Sequence, residues 1–218
     1  MKIPLKGKNL ILAVVAPLVV ICDQVSKFLA TSNLKPLTFE ADPSARFVTV
    51  IDGFWRFKYA ENTGAAWGLF RDMSAAFRVP FFIVVSLLAI GFIIWFFRRI
   101  EAHKRVLPLA VSLVLGGALG NLIDRIYMGK VVDFVDWFVT FEEPVNLGLF
   151  TITAGEKHWP TFNVADAAIS IGVVLLVIEM FGGKKKEDPD QGEADQDDPG
   201  TGPAPARGET ADEDGQGR

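Results

Sequence analysis

The chain has 218 residues, half of them hydrophobic and 18 of them phenylalanine, and its mean hydropathy is +0.30. Its 22 basic and 26 acidic residues give a net charge of −4, but the residues from Gly182 onward carry −6 by themselves, which leaves a body of +2. A very apolar, nearly neutral body with a charged polar end is typical of a membrane protein and excludes a soluble globular protein. Because the chain has no large net positive charge to attract phosphates, a basic nucleic-acid-binding protein is also excluded.

The first predicted element is an apolar segment from about residue 10 to 29, close to the ~20 residues that a helix needs to cross a bilayer. Leu10 to Ile21 is uninterrupted, and four polar residues follow: Asp23, Gln24, Ser26 and Lys27. A cleaved signal peptide is the alternative, with Cys22 where a lipoprotein carries its modified cysteine. Because Ile21 is bulky and no small-x-small triplet follows closely, the pattern favours an uncleaved membrane anchor.

Residues 46–59 alternate β-branched and aromatic side chains around Asp52-Gly53. This pattern predicts a β-hairpin, and its Phe and Trp content suits a position at the membrane interface. The segment Asn62 to Gly68 turns from polar to small residues and is suited to presenting backbone donors to a peptide.

Three further apolar segments, 79–97, 106–123 and 165–181, predict membrane-spanning helices, because a helix satisfies all its backbone polar groups within lipid. Between the last two, Pro144, Gly148 and Gly155 interrupt the segment 141–160, which predicts no clear element. From residue 182 to 218 the composition predicts a disordered, solvated acidic tail.

Basic residues cluster before the first span, between the second and third, and after the fourth: Lys2, Lys6, Lys8; Arg98, Arg99, Lys104, Arg105; Lys184, Lys185, Lys186. In a four-span topology these clusters share one side, which the positive-inside rule makes cytoplasmic. Both termini are then cytoplasmic, and the long connections 30–78 and 124–164 lie on the outer side.

Three acids lie within or at the ends of the spans: Asp23, Asp124 and Asp166. An ionisable group at membrane depth is costly and therefore a functional candidate. Asp124 closes the third span and Asp166 opens the fourth, so the topology predicts that these two carboxylates lie near each other at the outer face.

Both acids belong to an Asn-x-x-Asp pattern, with Asn121 before Asp124 and Asn163 before Asp166. The second copy has a structural alternative, because Asn163 is a good N-cap and an acid suits the first helical turn. The first copy has none, since the helix dipole disfavours a carboxylate at a C-terminus. A close pair of this kind is expected to share one proton, as in aspartic proteases, where it activates water and protonates the leaving group.

Several other features have adequate structural explanations. The spacing of Gly116 and Gly120 is explained by close helix packing, and Asp23 and Lys27 at i, i+4 are more simply an ion pair than a chemical group. Arg125 is well placed to reach lipid headgroups. No Gly-x-Ser-x-Gly or Walker motif occurs, Ser26 and Lys27 do not face each other on a helix, and one cysteine with two histidines excludes an internal disulfide and a His/Cys metal cluster.

Five blocks, in order, resemble the lipoprotein signal peptidases, the type II signal peptidases of bacterial inner membranes, over roughly residues 8–181. They are Asp23-Gln-Val-Ser-Lys27, Asn62-Thr-Gly-Ala-Ala66, Gly116-Gly-Ala-Leu-Gly-Asn-Leu-Ile-Asp-Arg125, Val131-Val-Asp-Phe134 and Phe162-Asn-Val-Ala-Asp166.

The resemblance implies an aspartyl endopeptidase that cleaves prolipoproteins just before a diacylglyceryl-modified cysteine, without metal or organic cofactor. It implies an all-α membrane protein, a four-helix bundle with a small extracytoplasmic β-cradle at about 46–70 and the active site at the periplasmic face. We expect a monomer whose partners are prolipoproteins and membrane lipids. The resemblance makes Asp124 and Asp166 catalytic, with substrate-binding or supporting roles at Asn62, Gly64, Asn121, Arg125, Asn163, Asp23 and Lys27.

Two features depart from the usual family pattern: the connection between Asp124 and Asp166 has extra length around 142–157, and the acidic tail is an addition.

Two alternatives from other classes also stay open. An ion-coupled transporter would need carboxylates near the membrane midplane, and a non-catalytic four-span scaffold would leave the repeated Asn-x-x-Asp unexplained.

Overall fold

The computed structural model describes residues 7–64 and 73–182. Several sequence predictions therefore lie outside the described residues: Lys2 and Lys6, the segment 65–70 at the end of the predicted β-cradle, Lys184 to Lys186, and the acidic tail.

Four long helices confirm the predicted spans: α1 Lys8–Asn33, α2 Ala75–Arg99, α3 Val106–Met128 and α4 Val164–Gly182. Each is long and apolar enough to cross a membrane. Every helix extends beyond its predicted apolar core, because polar residues at the ends continue the helical hydrogen bonding past the hydrocarbon layer.

Helix α3 is the centre of the bundle and packs against α1, α2 and α4. Small residues allow the close approach that the glycine spacing predicts. A Cβ atom on Gly116 would lie 2.7 Å from the Cβ of Val19 on α1, and one on Gly117 would meet the carbonyl oxygen of Ala165 on α4. The glycine pattern is thus explained by helix packing.

An antiparallel sheet lies at the end of the bundle where α3 ends and α4 begins. Its strand order is β1-β2-β3-β6, with β1 Val48–Ile51, β2 Trp55–Asn62, β3 Val131–Phe141 and β6 Gly155–His158. The β1–β2 pairing and the positive φ of 72° at Gly53 confirm the predicted hairpin. Two short strands, β4 Val145–Asn146 and β5 Thr151–Ile152, pair with each other between β3 and β6.

The prediction of an all-α protein is only partly accurate, because this sheet is a substantial part of the structure. Sequence analysis assigned no element to 131–140, yet β3 is the longest strand described. Its first half, Val131 to Asp136, is mostly buried. A strand that is covered on both faces lacks the alternation of apolar and polar residues by which a half-exposed strand is identified.

Two connections bring the sheet to the helix ends. Gly129 ends α3 in the left-handed conformation, with φ 68°, and β3 starts two residues later. After β6, Phe162 forms an isolated bridge with Val135, and α4 starts at Val164. The middle of β3 therefore lies beside the first turn of α4.

Candidate active site

Buried polar side chains are concentrated where α1, the end of α3, β3 and the start of α4 meet. Six of them are at most 7% exposed: Asp23, Lys27, Asn121, Asp124, Asp133 and Asn163. Buried polar groups are costly unless they are paired. Each of these groups has a partner within the cluster.

Lys27 connects two buried carboxylates. Its Nζ lies 2.8 Å from Asp23 Oδ2 and 2.9 Å from Asp124 Oδ2, and it donates a hydrogen bond to Asn121 Oδ1 at 2.9 Å. These contacts use all three donors of the ammonium group. The ion-pair interpretation of Asp23 and Lys27 is thereby confirmed, although Asp124 shares the same cation.

Asp23 also holds the start of α4. Its Oδ1 accepts a hydrogen bond from the backbone N–H of Ala165 at 2.9 Å. This N–H belongs to the first turn of the helix, where backbone donors have no partner within the helix. Asp23 therefore connects α1 to the N-terminus of α4.

Both oxygens of Asp124 are engaged, and its carboxylate is 1% exposed. Oδ1 accepts from Gln24 Nε2 at 2.9 Å, while Oδ2 faces Lys27 and accepts from the N–H of Val132 at 3.3 Å. The ion pair with Lys27 offsets the unfavourable position of a carboxylate at the end of α3. Asp124 is thus paired with a buried cation and lies behind the cavity, whose lining does not include it.

Asp166 forms a reciprocal cap with Asn163. The N–H of Asp166 donates to Asn163 Oδ1 at 2.9 Å, and the N–H of Asn163 donates to Asp166 Oδ2 at 3.3 Å. This is the geometry of a capping box, so the capping interpretation of this motif is confirmed. The other oxygen, Oδ1, accepts from Asn121 Nδ2 at 2.8 Å.

Asp133, in the middle of the buried half of β3, is the carboxylate that sequence analysis left out of the candidate site. It is 3% exposed, accepts a hydrogen bond from Asn163 Nδ2 at 2.7 Å, and is also hydrogen-bonded by Asn62. Burial, followed by the nearby charge of Asp166, raises the pKa of Asp133 to about 7. Asn163 thus contacts both Asp133 and Asp166.

A signal for Asp133 was present in the sequence. An acid between Val132 and Phe134 is unusual in so apolar a run, and the block Val131 to Phe134 was one of the five that carried the family resemblance. Asp133 lies neither within a predicted span nor at the end of one, because it follows the third span on a strand that the sequence pattern does not predict.

A cavity of about 600 Å³ opens beside Asp166. Its polar wall includes Asn62, Gly64 and Arg125, and its remaining lining is largely apolar, from Trp137, Trp159, Pro160, Thr161, Phe162, Ala167, Ser170 and Ile171. A cavity with apolar walls and a few polar groups at one side is typical of a ligand-binding site.

The predicted site residues therefore form two layers. Four line the cavity: Asn62, Gly64, Arg125 and Asp166. The other five lie behind them in the buried cluster: Asp23, Lys27, Asn121, Asp124 and Asn163.

Arg125 joins the two layers. It donates from Nη1 to the carbonyl oxygen of Asn121 at 3.3 Å and lies with Cζ 5.4 Å from the centre of the Phe82 ring. Its charge is close enough to interact with Asp124, Asp133 and Asp166.

Chemically, the site offers two carboxylates joined through one asparagine, one of them on the wall of the cavity. Two close carboxylates that differ in environment can divide the roles of base and acid. Within 7–64 and 73–182, no group of three or more His, Cys, Asp or Glu side chains is arranged to hold a metal ion.

Comparison with known proteins yields one consistent family. The family model for signal peptidase II matches residues 15–182. A lipoprotein signal peptidase from Anaeromyxobacter sp. (strain Fw109-5) is 41% identical over 162 residues, 74% of this chain and 68% of its own length. The lipoprotein signal peptidase of Syntrophus aciditrophicus (strain SB) is 39% identical over 183 residues, 84% of this chain and 99% of its own length.

Among solved structures, a bacterial membrane enzyme determined by the in meso method is similar to this chain, with a TM-score of 0.60 and 31% sequence identity. The match covers 81% of this chain and 92% of that one. A second in meso structure of a bacterial membrane enzyme matches with a TM-score of 0.58 and 30% identity.

Proposed function

The chain belongs to the signal peptidase II family, and we propose that it is an aspartic endopeptidase that hydrolyses diacylglyceryl-modified prolipoproteins just N-terminal to the lipidated cysteine. Family membership and the four apolar helices make it a multi-pass membrane protease that processes lipoproteins. The aspartic mechanism, the exact bond cleaved and the lipid requirement are the proposal.

The catalytic pair that the contacts support best is Asp166 with Asp133, in place of the predicted Asp166 with Asp124. The observation that carries this pairing is the shared partner Asn163, whose side-chain amide donates to Asp133 and whose backbone N–H donates to Asp166. Neither Asp133 nor Asp124 lines the cavity, but Asp124 is paired with a buried lysine, whereas the hydrogen bonds to Asp133 come from uncharged amide groups.

Because Asp166 and Asp133 have different surroundings, they suit different proton transfers in the hydrolysis. Both oxygens of Asp166 accept hydrogen bonds, which suits an ionised carboxylate on the cavity wall that takes a proton from water. Asp133, with its pKa raised to about 7, is protonated in about half of the molecules at neutral pH, and this form can give its proton to the carbonyl oxygen of the scissile bond. When the tetrahedral intermediate collapses, the C–N bond breaks, the leaving amine takes the proton from Asp166, and a hydroxyl group of the intermediate returns its proton to Asp133, so both carboxyl groups regain their starting states.

The surrounding residues hold this pair in place. Asn121 and Asn163 orient the carboxylates, and Lys27 forms ion pairs with both Asp23 and Asp124 behind them. Asn62, Gly64 and Arg125 form the polar part of the wall, where an extended peptide would find donors and acceptors.

The position of the site fits a substrate that is half in lipid. The cavity lies at the end of the bundle that carries the sheet, and the basic α2–α3 connection, with Arg98, Arg99, Lys104 and Arg105, lies at the other end. With the positive-inside orientation, the site faces the periplasmic side of the inner membrane and the termini are cytoplasmic. A diacylglyceryl group can then stay in the bilayer while the peptide bond reaches water and is held for attack. We propose that the protein acts as a monomer.

The test is cleavage of a lipid-modified prolipoprotein by the purified protein in liposomes, with Asp133→Asn, Asp166→Asn and Asp124→Asn compared with the wild type. We expect cleavage before the lipidated cysteine by the wild type, and a loss of about 10³-fold or more for Asp133→Asn and Asp166→Asn, as for other catalytic groups.

Asp124→Asn is the discriminating variant, because it keeps the shape of the side chain and leaves Lys27 paired with Asp23. We expect it to retain measurable cleavage while unfolding at a lower temperature. If Asp124→Asn is folded and inactive while Asp133→Asn remains active, the pair is Asp124 and Asp166. If the folded wild type cleaves no lipid-modified substrate, the proposed function is wrong.

A further inference from the structure

A second charged cluster lies on the sheet, on the side away from the cavity. It consists of Arg56 and Lys58 on β2, Asp136 on β3, and Glu156 and His158 on β6, and is named here the β-clasp. Because successive strand residues point to opposite faces, Asp136 and Phe138 face away from Trp137, which lines the cavity. The proposed peptidase mechanism uses none of the β-clasp side chains.

Asp136 is the centre of the β-clasp and has no exposed surface. Arg56 Nε and Lys58 Nζ each lie 2.8 Å from its carboxylate, and His158 Nδ1 lies at 3.0 Å. Burial opposes the charge on Asp136, but the hydrogen bonds from Lys58, Arg56 and His158 together hold its pKa below the ordinary value. The carboxylate thus joins three strands of the sheet.

The planar guanidinium group of Arg56 contacts other side chains on both of its faces and at its edge. Its guanidinium carbon lies 4.3 Å from the ring centre of Phe47 and 4.4 Å from that of Phe138. Its Nη2 is 2.9 Å from Glu156 Oε2. An arginine sandwiched between aromatic rings and paired with two carboxylates has little freedom to move, so it is a rigid anchor for β6.

His158 contacts both carboxylates. Its Nδ1 faces Asp136, its Nε2 lies 3.1 Å from Glu156 Oε2, and its ring stacks on Phe138 with centroids 5.5 Å apart. The side chain is 31% exposed, so a substitution here does not open the core.

The β-clasp is continuous with the wall of the substrate cavity. His158 ends β6, and the next four residues, Trp159 to Phe162, all line the cavity. The N–H of Trp159 donates to the carbonyl oxygen of Trp137 at 2.8 Å, and Phe162 packs edge-on against Trp137 at 4.9 Å between ring centres. The direction of this wall is therefore set by how β6 is attached to β3.

Backbone pairing alone holds β6 weakly. The strand has four residues, all of them exposed, and the chain between it and β3 is also largely exposed. Short exposed edge elements are among the first parts of a protein to open locally. The side chains of the β-clasp supply the additional attachment.

We propose that the β-clasp, through His158 and Glu156, positions the wall Trp159 to Phe162 and so determines how tightly the apolar part of the signal peptide binds. His158 is a positioning residue in this proposal, since it touches the wall through the backbone and not the reacting atoms. The proposal rests on the proposed peptidase function for its substrate, but the position of the wall can be measured without activity.

The experiment uses the full chain with His158→Gln and Glu156→Gln. The matched control is His103→Gln, because His103 pairs with Glu101 on the exposed surface of the α2–α3 connection. Hydrogen–deuterium exchange is followed at residues 155–162 and in α3, and cleavage of a lipid-modified prolipoprotein is measured in liposomes.

We expect faster exchange at 155–162 in both β-clasp variants, by about 10-fold, with α3 unchanged. We also expect KM to rise about 5-fold with kcat within about twofold of the wild type, because weaker substrate binding without altered chemistry changes KM alone. His103→Gln should match the wild type in both measurements.

Three outcomes would overturn the proposal: unchanged exchange at 155–162, faster exchange with unchanged KM, or a fall in kcat at unchanged KM. The last would mean that His158 acts in the chemistry. If the wild type cleaves nothing while exchange at 155–162 responds as expected, the peptidase function fails and the positioning of the wall still holds.

Discussion

The three carboxylates Asp124, Asp133 and Asp166 lie close together in the fold, and their partners distinguish them. Asp124 faces a lysine and two neutral donors, Asp166 accepts from Asn121 on α3 and from Asn163 just before α4, and Asp133 accepts from amide groups only. An ammonium group supplies a compensating charge to a buried carboxylate, whereas amide donors supply hydrogen bonds without a charge. This difference is the reason to place the exchangeable proton on Asp133.

The raised pKa of Asp133 predicts a pH dependence of both stability and activity. Between its ordinary pKa of 3.8 and about 7, the folded protein binds a proton that the unfolded chain does not, so stability falls as pH rises through this window. If Asp133 must donate a proton, cleavage also falls as pH rises above about 7. The measurements are thermal unfolding in detergent and kcat/KM of the wild type from pH 5 to pH 9.

Asp133→Asn gives the control for this prediction, because an amide stays neutral at every pH. Relative to the wild type, this variant should become more stable as pH rises from 5 to 8. Asp52→Asn, an exposed aspartate in the β1–β2 turn, should show no such trend. An equal difference in unfolding temperature at pH 5 and pH 8 for Asp133→Asn would show that Asp133 does not carry the proton.

At the scale of elements, the site depends on the distance between α1 and α3. Asp23 and Lys27 on α1 reach Asn121 and Asp124 on α3, and this requires the two helix backbones to lie close together. Gly116, five residues before Asn121, makes this approach possible, because its missing side chain leaves room for Val19. The same small residue therefore serves both packing and the geometry of the site.

Gly116→Ala is expected to destabilise the protein by about 1–3 kcal/mol, the range for overpacking a close contact. The added Cβ would lie 2.7 Å from the Cβ of Val19 and 2.8 Å from the carbonyl oxygen of Ala16, so α1 has to move. Unfolding in detergent measures the change, and cleavage should fall with it because Lys27 moves away from Asn121, which orients Asp166.

The matched control is Gly91→Ala on α2, where an added Cβ would meet no atom within 4 Å. This substitution should be neutral or stabilising by about 0.5–1 kcal/mol, since alanine is the better helix former. Equal destabilisation by the two variants would mean that helix propensity, and not the α1–α3 contact, determines the effect.

At the scale of the whole molecule, the arrangement separates the end that holds the proposed catalytic site from a basic end. The sheet, the cavity and the buried carboxylates lie where α3 ends, while Arg98, Arg99, Lys104 and Arg105 lie in and around the short connection at the opposite end. Exposed apolar side chains cover the outward faces of α1, α2 and α4 between the two ends, as expected for helices that contact lipid.

The proposed orientation, with the sheet on the periplasmic side and the basic end in the cytoplasm, predicts how single cysteines are labelled in intact cells. In a Cys22→Ser background, Asp52→Cys in the exposed β1–β2 turn should react with a membrane-impermeant maleimide from the periplasmic side. His103→Cys in the α2–α3 connection should react only after the inner membrane is permeabilised. The reverse pattern would invert the topology and place the cavity on the cytoplasmic side.

Local patterns in the sequence were sufficient for several parts of this protein. Long apolar runs determine four helices because backbone hydrogen bonds have no other satisfactory arrangement in lipid. Asp52-Gly53 determines a hairpin because glycine allows the positive φ of the turn, and Asn163 with Asp166 determines a cap because both partners lie within one turn. Each of these depends on residues that are close together in the chain.

Only the tertiary structure showed which carboxylate shares a hydrogen-bond partner with Asp166 and which side chains attach the strand that precedes the cavity wall. Strand β3 is covered on both faces, so its sequence shows no alternation, and Asp133 was not placed beside α4 until the strand was known. The contacts of Lys27 with Asp124, and of Arg56 with Glu156, join residues about 100 positions apart. The physical reason is that burial and partner choice come from elements distant in the chain, and these two factors decide whether a carboxylate is a fixed charge or a proton carrier.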